Sequence, residues 1–297
     1  MPNQNSPKAL RWTILDVLKW TTEHFKSHDV DSPRLTAELL LAEALGLGRI
    51  DLYLRFDQPL SDSERDRFRE LVRRRIRKEP VAYILGKKEF WGIEFDVTPD
   101  VLIPRPDTEI LVQAALDRLP EVAGEPVRVI DLGTGSGAII VALAATRPGP
   151  LYFASDISFP ALKVAARNAA IAGVSERIRF YAGDWFAPVT VGPLFRMIVS
   201  NPPYIPTREI SLLAPEIHSH EPIGALDGGP DGLSDISRLF KEAPARLLPG
   251  GFLMLEIGYD QKDAVIRLAG QSRAFDHVGF VKDYGGHDRV AVLRKSL

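Results

Sequence analysis

Residues 201–204, Asn201-Pro202-Pro203-Tyr204, carry groups suited to one chemistry, the activation of a planar nitrogen. They follow the apolar run Phe195-Arg196-Met197-Ile198-Val199-Ser200, a strand that must stop where prolines remove N–H donors and hold φ near about −65°. An amide or exocyclic amino group has a delocalised lone pair and gains nothing from simple deprotonation, so it has to be held and polarised. The Asn201 side-chain carbonyl can accept one N–H, the Pro202 carbonyl the other, and Tyr204 offers a flat face to the substrate plane. Drawing density from both N–H bonds favours the pyramidal, nucleophilic nitrogen of the transition state. A proline-rich turn closing a strand is the plainer reading of the same residues.

A second constellation suits a cofactor. Asp131-Leu132-Gly133-Thr134-Gly135-Ser136-Gly137 ends an apolar strand and turns through glycines into a helix. Glycines let the backbone approach a ligand, and the first-turn N–H groups face its polar end. A dinucleotide loop would read G-x-G-x-x-G, whereas here the spacing is G-x-G-x-G. Ser155-Asp156 ends the next strand and puts a carboxylate where such folds bind ribose hydroxyls. Gly183-Asp184-Trp185-Phe186 ends a third, with a carboxylate acceptor and an aromatic surface for an adenine. Asp156 also reads as a helix cap and Trp185 as core, but three such groups at successive strand ends point to a ligand. Ile103-Pro104-Arg105-Pro106-Asp107-Thr108-Glu109 is stiff, and reads either as a presenter of Arg105 with Asp107 or Glu109 at a pocket rim or as a rigid linker into a capped helix. His218-x-His220 has no third ligand at sensible spacing and reads as a surface loop, so no metal is expected.

The elements that must hold these groups follow from periodicity. A first helix is expected from about Leu10, with Trp12, Leu15, Leu18 and Phe25 near one face. A second enters at Ser32-Pro33 and stops at Gly46, and a third starts in a capping box at Ser61 and Glu64 and ends near Pro80. The third carries Arg73, Arg74, Arg75, Arg77 and Lys78, as a solvated face or as a dock for an acidic or phosphate-bearing partner. Residues 90–97 alternate apolar and polar and read as a hairpin. Beyond them, strands are expected at 127–131, 151–155, 178–182, 196–200 and 252–257, with helices around 137–145, 159–172, 233–247 and 261–268. That alternation calls for a parallel sheet covered on both faces. Residues 277–283 and 289–293, joined through Gly285-Gly286, must form an antiparallel hairpin at its end. The expected fold is therefore α/β: a doubly wound, mostly parallel seven-stranded sheet with an antiparallel C-terminal hairpin, preceded by a small all-helical domain and a linking β-hairpin. The expected domains are residues 1–86, a linker at 87–104, and residues 105–297.

Composition narrows the classes. With 297 residues, 45% of them hydrophobic, the chain can bury a sizeable core beside a smaller domain. A net charge of −2 exerts no general pull toward nucleic acid. No cysteine is present, which removes disulfides, thiolate metal sites and cysteine nucleophiles. The opening Met1-Pro2-Asn3-Gln4-Asn5-Ser6-Pro7 is polar and no apolar run spans a bilayer, so the cytoplasm is the expected location.

The chain resembles the class I S-adenosylmethionine-dependent methyltransferases, and Asn201-Pro202-Pro203-Tyr204 resembles the N-P-P-Y motif of amino-group methylators. With the helical leader, Phe90-Trp91-Gly92, residues 103–109, the glycine loop, Glu221-Pro222 and Ala225-Leu226-Asp227-Gly228-Gly229, it is similar over nearly its whole length to the peptide chain release factor glutamine methyltransferases. The resemblance implies methyl transfer from S-adenosylmethionine, leaving S-adenosylhomocysteine, to the side-chain amide nitrogen of the glutamine in a release factor's Gly-Gly-Gln motif. It implies that Gly133, Thr134, Gly135, Ser136 and Gly137 hold the methionine end, Asp156 the ribose, and Trp185 with Asp184 the adenine. Asn201, Pro202, Pro203 and Tyr204 would hold the glutamine, with Asn201 also bordering the cofactor, and the helical domain would recognise a release factor. No strong base or metal is required, because the methylated nitrogen sheds its proton readily. No nucleic-acid or membrane partner is expected, and the chain is expected to be a monomer. The competing reading is a DNA adenine-N6 or cytosine-N4 methyltransferase, which shares the lone-pair problem but needs a target-recognition region and must unstack the base. A catalytically silent binding module is a third possibility, which turnover distinguishes.

Overall fold

The computed structural model describes residues 12–120 and 127–297. The polar stretch 1–7 and the expected helix start at Leu10 lie outside the described residues. The chain divides into two compact units, one ending at Leu85 and the other running from Gly86 to Leu297.

The first unit is helical: α1 (Ile14–Lys26), α2 (Pro33–Leu45), α3 (Arg49–Leu54), α4 (Asp62–Ile76) and α5 (Val81–Leu85). Local chemistry sets the helix ends. Thr13 and Asp16 form a capping box on α1, Ser61 and Glu64 another on α4, and α2 starts at Pro33 and ends on Gly46 at φ +64°. Ile14, Leu18, Phe25, Leu40, Leu41 and Phe68 close the core. Trp12 packs against that core only partly buried, and Leu15 is half-buried. The basic run is divided: Arg73 and Arg77 are exposed, as on a solvated face, while the other three turn inward. Arg74 pairs with Glu79, Arg75 is buried and donates to the Glu79 carbonyl, and Lys78 donates to the carbonyls of His28 and Asp29. Three of its cations are therefore spent holding the unit together, because the helix end abuts backbone carbonyls that need donors.

The second unit opens with β1 (Lys87–Phe90) and β2 (Ile93–Asp96), an antiparallel hairpin turned by Trp91 and Gly92 at φ +55° and +68°. Then follow α6 (Thr108–Leu116), β3 (Arg128–Leu132), α7 (Ala138–Thr146), β4 (Leu151–Asp156), α8 (Phe159–Ile171), β5 (Ile178–Ala182), β6 (Phe195–Ser200), α9 (Pro215–His218), α10 (Ser234–Glu242), β7 (Leu247–Glu256), α11 (Lys262–Ser272), β8 (Phe275–Lys282) and β9 (Asp288–Lys295). The seven-stranded sheet has the order β5-β4-β3-β6-β7-β9-β8, parallel from β5 to β7 and antiparallel at β9 and β8.

Strand alternation fills both faces. Val129, Met197, Val199 and Met254 join α6 and α7 in one core, while Ile130, Ile198, Leu253 and Leu255 join α10 and α11 in the other. Several expected boundaries move: the third helix ends at Ile76 and the last helix runs on to Ser272, and two further shifts show why. The helix expected at 233–247 ends at Glu242, because Pro244 has no N–H for the ladder and a 3-10 turn at Ala243–Ala245 follows. The strand expected from 252 begins at Leu247 and buckles, Phe195 pairing with Leu247 and Met197 with Phe252, across Pro249 and a Gly250 at φ +66°. Among the described residues no helix is long and apolar enough to cross a membrane.

Candidate active site

Strand order makes the site. Chain direction along the sheet reverses between β3, which leads outward to β4 and β5, and β6, which leads to β7. Loops at the carboxyl ends of two such neighbours diverge and leave a crevice. The loop after β3 is the glycine turn, the loop after β6 is Asn201–Tyr204, and the Ser200 hydroxyl donates to the Leu132 carbonyl at 2.6 Å where the two strands end. A cleft of about 440 Å³ opens there. Gly133, Thr134, Gly135, Ser136, Asp156, Asp184, Trp185, Asn201 and Pro203 all border it. Three of the expected residues do not. Pro202 is buried, Gly137 packs against α8, and Tyr204 borders an adjoining cleft of about 180 Å³ that also reaches Asn201.

The glycine turn is built by neighbours in space. Gly133 and Gly135 take φ of +68° and +55°, a β-carbon on Gly133 would lie 3.4 Å from the Trp185 ring, and one on Gly135 would point into open space. Asp156 accepts from the Gly135 N–H and the Ser158 N–H, each at 2.8 Å, so it ties the turn to β4, while Ser158 caps α8. Burial pushes the Asp156 carboxyl up. Beneath the turn, Asp131 is fully buried and accepts from the Thr134 hydroxyl at 2.6 Å, while its Oδ1 has no partner among the described residues. Burial, opposed by Thr134 and reinforced by Asp156, pushes Asp131 up to about 7.

The far wall is tied by side chains that sequence reasoning missed. Trp185, at φ +50°, donates from Nε1 to Asp235 at 3.0 Å, and Arg238 grips both oxygens of Asp184 at 2.8 Å. Asp184 is thus half of an ion pair rather than a free acceptor. Asp235 and Arg238 sit on α10 and border the cleft, but nothing in their local pattern marks them. Arg105 resolves as well, pairing with the buried Glu221 at 2.5 Å, so residues 103–109 are pinned to the segment before Pro222.

Around Asn201 the contacts are long-range. Its Nδ2 donates to the Thr108 hydroxyl at 3.2 Å, and no described group engages its Oδ1. Thr108 donates to Glu256 Oε2 at 2.7 Å, and the Tyr204 hydroxyl meets Glu256 Oε1 at 3.2 Å. Burial pushes the Glu256 carboxyl up, against the hydrogen bond from Thr108 and the charge of Arg289. Glu256 is a lone carboxylate in the apolar run Phe252-Leu253-Met254-Leu255-Glu256-Ile257, a signal that could have marked it. Gln261 donates to the carbonyls of Tyr204 and Gly232, holding the backbone after the prolines.

A switch-point cleft with a glycine turn on one side and Asn201-Pro202-Pro203-Tyr204 on the other defines a class I S-adenosylmethionine-dependent methyltransferase. A methyltransferase from Pyrococcus furiosus superposes with a TM-score of 0.52 at 19% identity over 71% of this chain and 92% of that one. The delta-N METTL16 MTase domain gives 0.53 at 18% identity over 70% and 90%. The PrmC N-terminal domain family matches residues 16–86, and the Methyltransferase small domain family matches residues 107–216. Relatives named release factor glutamine methyltransferase are similar end to end. One from Geobacter sulfurreducens is 44% identical over 94% of this chain and 95% of its own, and one from Chlorobaculum tepidum is 42% identical over 95% and 97%. The chain belongs to the release factor glutamine methyltransferase family.

S-adenosylmethionine fits these residues on structural grounds. The space beside Gly135 is open, the Asp156 carboxylate and the Trp185 ring border the cleft, and the cleft is of the size that holds a nucleoside cofactor.

Proposed function

We propose that this enzyme methylates the side-chain amide nitrogen of the glutamine in the Gly-Gly-Gln motif of a release factor, with S-adenosylmethionine as donor. The observation that carries the reading is Asn201, which borders the cofactor cleft with its amide NH2 engaged by Thr108 and its carbonyl oxygen free. A glutamine amide offers two N–H donors, so it needs acceptors, and Asn201 Oδ1 supplies one.

S-adenosylmethionine supplies an electrophilic sulfonium methyl when bound. Gly133, Thr134, Gly135 and Ser136 would hold its methionine end. Asp156 would meet the ribose, and Trp185, fixed by Asp235, would cover the adenine. Gly137 supports the turn through its packing on α8 rather than by contact. Asn201 and the Pro202 carbonyl would accept the two N–H bonds of the target amide, Pro203 would wall the cleft, and Tyr204 would pack behind the amide. Holding both N–H bonds would leave density on nitrogen, so that its lone pair could form the new N–C bond as the methyl–sulfur bond breaks and S-adenosylhomocysteine is released. The extra proton then leaves to water. The rate enhancement comes from position and from acceptors that are already oriented. The first unit is proposed to recognise the protein substrate.

The DNA adenine-N6 or cytosine-N4 reading is not favoured, since end-to-end relatives at 44% and 42% identity carry the release factor name. Transfer of labelled methyl, offered in parallel to an unmodified release factor, its Gly-Gly-Gln glutamine-to-alanine variant and duplex DNA, decides between them. Label on the intact factor alone is expected; label on DNA overturns the substrate, and no label anywhere overturns methyl transfer.

A further inference from the structure

We infer that Thr108 and Glu256 are positioning residues that set which end of the Asn201 amide faces the substrate. The inference rests on the methyl-transfer reading and deepens it. Thr108 opens α6, Glu256 ends β7 and Asn201 follows β6, so the fold alone assembles them. The Thr108 hydroxyl lies 2.7 Å from Glu256 Oε2 and 3.2 Å from Asn201 Nδ2.

A hydroxyl has a single proton to give, and an ionised carboxylate only accepts. While Glu256 is ionised, Thr108 must therefore spend its proton on Oε2, as the Tyr204 hydroxyl, 3.2 Å away, spends its own on Oε1. Toward Asn201, Thr108 then presents lone pairs alone. Only the NH2 end of the amide can meet them, which leaves Oδ1 as the acceptor for a substrate N–H. Had the amide turned the other way, two acceptors would oppose each other at Thr108 and two donors would oppose each other at the substrate. The orientation of one planar group thus passes from a buried charge through one hydroxyl to the reacting amide.

Protonating Glu256 undoes the order. The acid form can donate to Thr108, which frees the Thr108 proton for Asn201 Oδ1 and lets the amide turn. The groups facing Glu256 come from each packed element: Arg289 of β9, Asp107 and Thr108 at the start of α6, and Tyr204 after β6, with Arg105 beyond Tyr204. Arg289 holds the ionised form, while Asp107 and burial work against it. The turnover number should consequently fall on the acid side.

The test uses the full chain with labelled S-adenosylmethionine and an unmodified release factor, and compares Thr108→Val, Thr108→Ser and Glu256→Gln. Thr108→Val keeps the shape and removes the hydroxyl; it is expected to lower kcat about 10- to 100-fold with cofactor Kd unchanged within about threefold. Thr108→Ser keeps the hydroxyl and is expected to restore kcat to within about threefold of wild type. Glu256→Gln imitates the protonated acid at every pH, so it should be slow across the whole range in which wild type is fast and lack the wild-type fall on the acid side. It also carries the test should Thr108→Val fail to fold. Cofactor titration of each variant separates lost orientation from lost structure. The inference is overturned by a folded Thr108→Val or Glu256→Gln enzyme with kcat within about twofold of wild type. It is equally overturned by a Thr108→Ser enzyme as slow as Thr108→Val, or by cofactor affinity falling in step with kcat. Wild-type enzyme that labels no release factor overturns the methyl-transfer reading instead, and this inference with it.

Discussion

At the scale of single residues, the site asks for differential binding. Asn201 borders the cleft, and on the proposed reading its free oxygen is matched to a donor that only the substrate brings. Asn201→Ala should therefore lower kcat about 100-fold while cofactor Kd changes by less than about threefold, because the lost acceptor counts most in the transition state. Steady-state kinetics with direct cofactor titration checks this, and equal losses in both would move Asn201 into the cofactor site. Most of the candidate ligand residues that border the cleft were legible in the sequence, since their types suggest the chemistry. Those that orient them were not. Thr108 is separated from Glu256 by 148 positions and from Asn201 by 93, and Arg105 from Glu221 by 116. No local pattern ties residues so far apart, and a threonine entering a helix reads only as part of its start.

Among the elements, strands were the easiest to read, because fully buried parallel strands appear as short apolar runs closed by turn residues. The runs at β4, β5 and β6 are placed within a residue of their observed ends. The hairpin was read from its second strand; its first strand, Lys87–Phe90, carries two lysines and a glutamate and lacks the apolar signal. The glycine turn shows two different uses of glycine. At Gly137 the φ of +81° is joined by crowding, a β-carbon standing 3.0 Å from that of Ala165, so α7 and α8 approach through it. At Gly46 the φ is +64° but nothing lies within 4 Å. Gly137→Ala should then cost about 2–4 kcal/mol, strain plus overpacking, against about 1 kcal/mol for Gly46→Ala. Urea unfolding of the two variants measures the difference, and equal losses would mean that α8 yields to the added carbon.

Across the whole molecule, a buried carboxyl links stability to pH. Asp131 is pushed from 3.8 to about 7, first by burial, so its folded value lies above its unfolded one. The stability tied to its proton is present below about pH 4 and is lost as pH rises through about 7. Without cofactor, wild type should lose on the order of 4 kcal/mol relative to Asp131→Asn between about pH 4 and pH 8. Urea unfolding of both proteins across that range tests it, and parallel curves would assign the dependence to other groups.

The same division runs through the molecule as a whole. By itself the sequence determined the apolar runs, the caps, the glycine turn and Asn201-Pro202-Pro203-Tyr204, since these depend on backbone sterics and on partners a few residues away. Only the tertiary structure decided that β3 and β6 lie side by side, that Trp185 is held by Asp235, and that three of the basic residues at the end of α4 serve their own unit. Those outcomes turn on which distant surfaces meet once two apolar faces of a sheet are covered, and a hydrogen bond across such a meeting leaves no period in the chain.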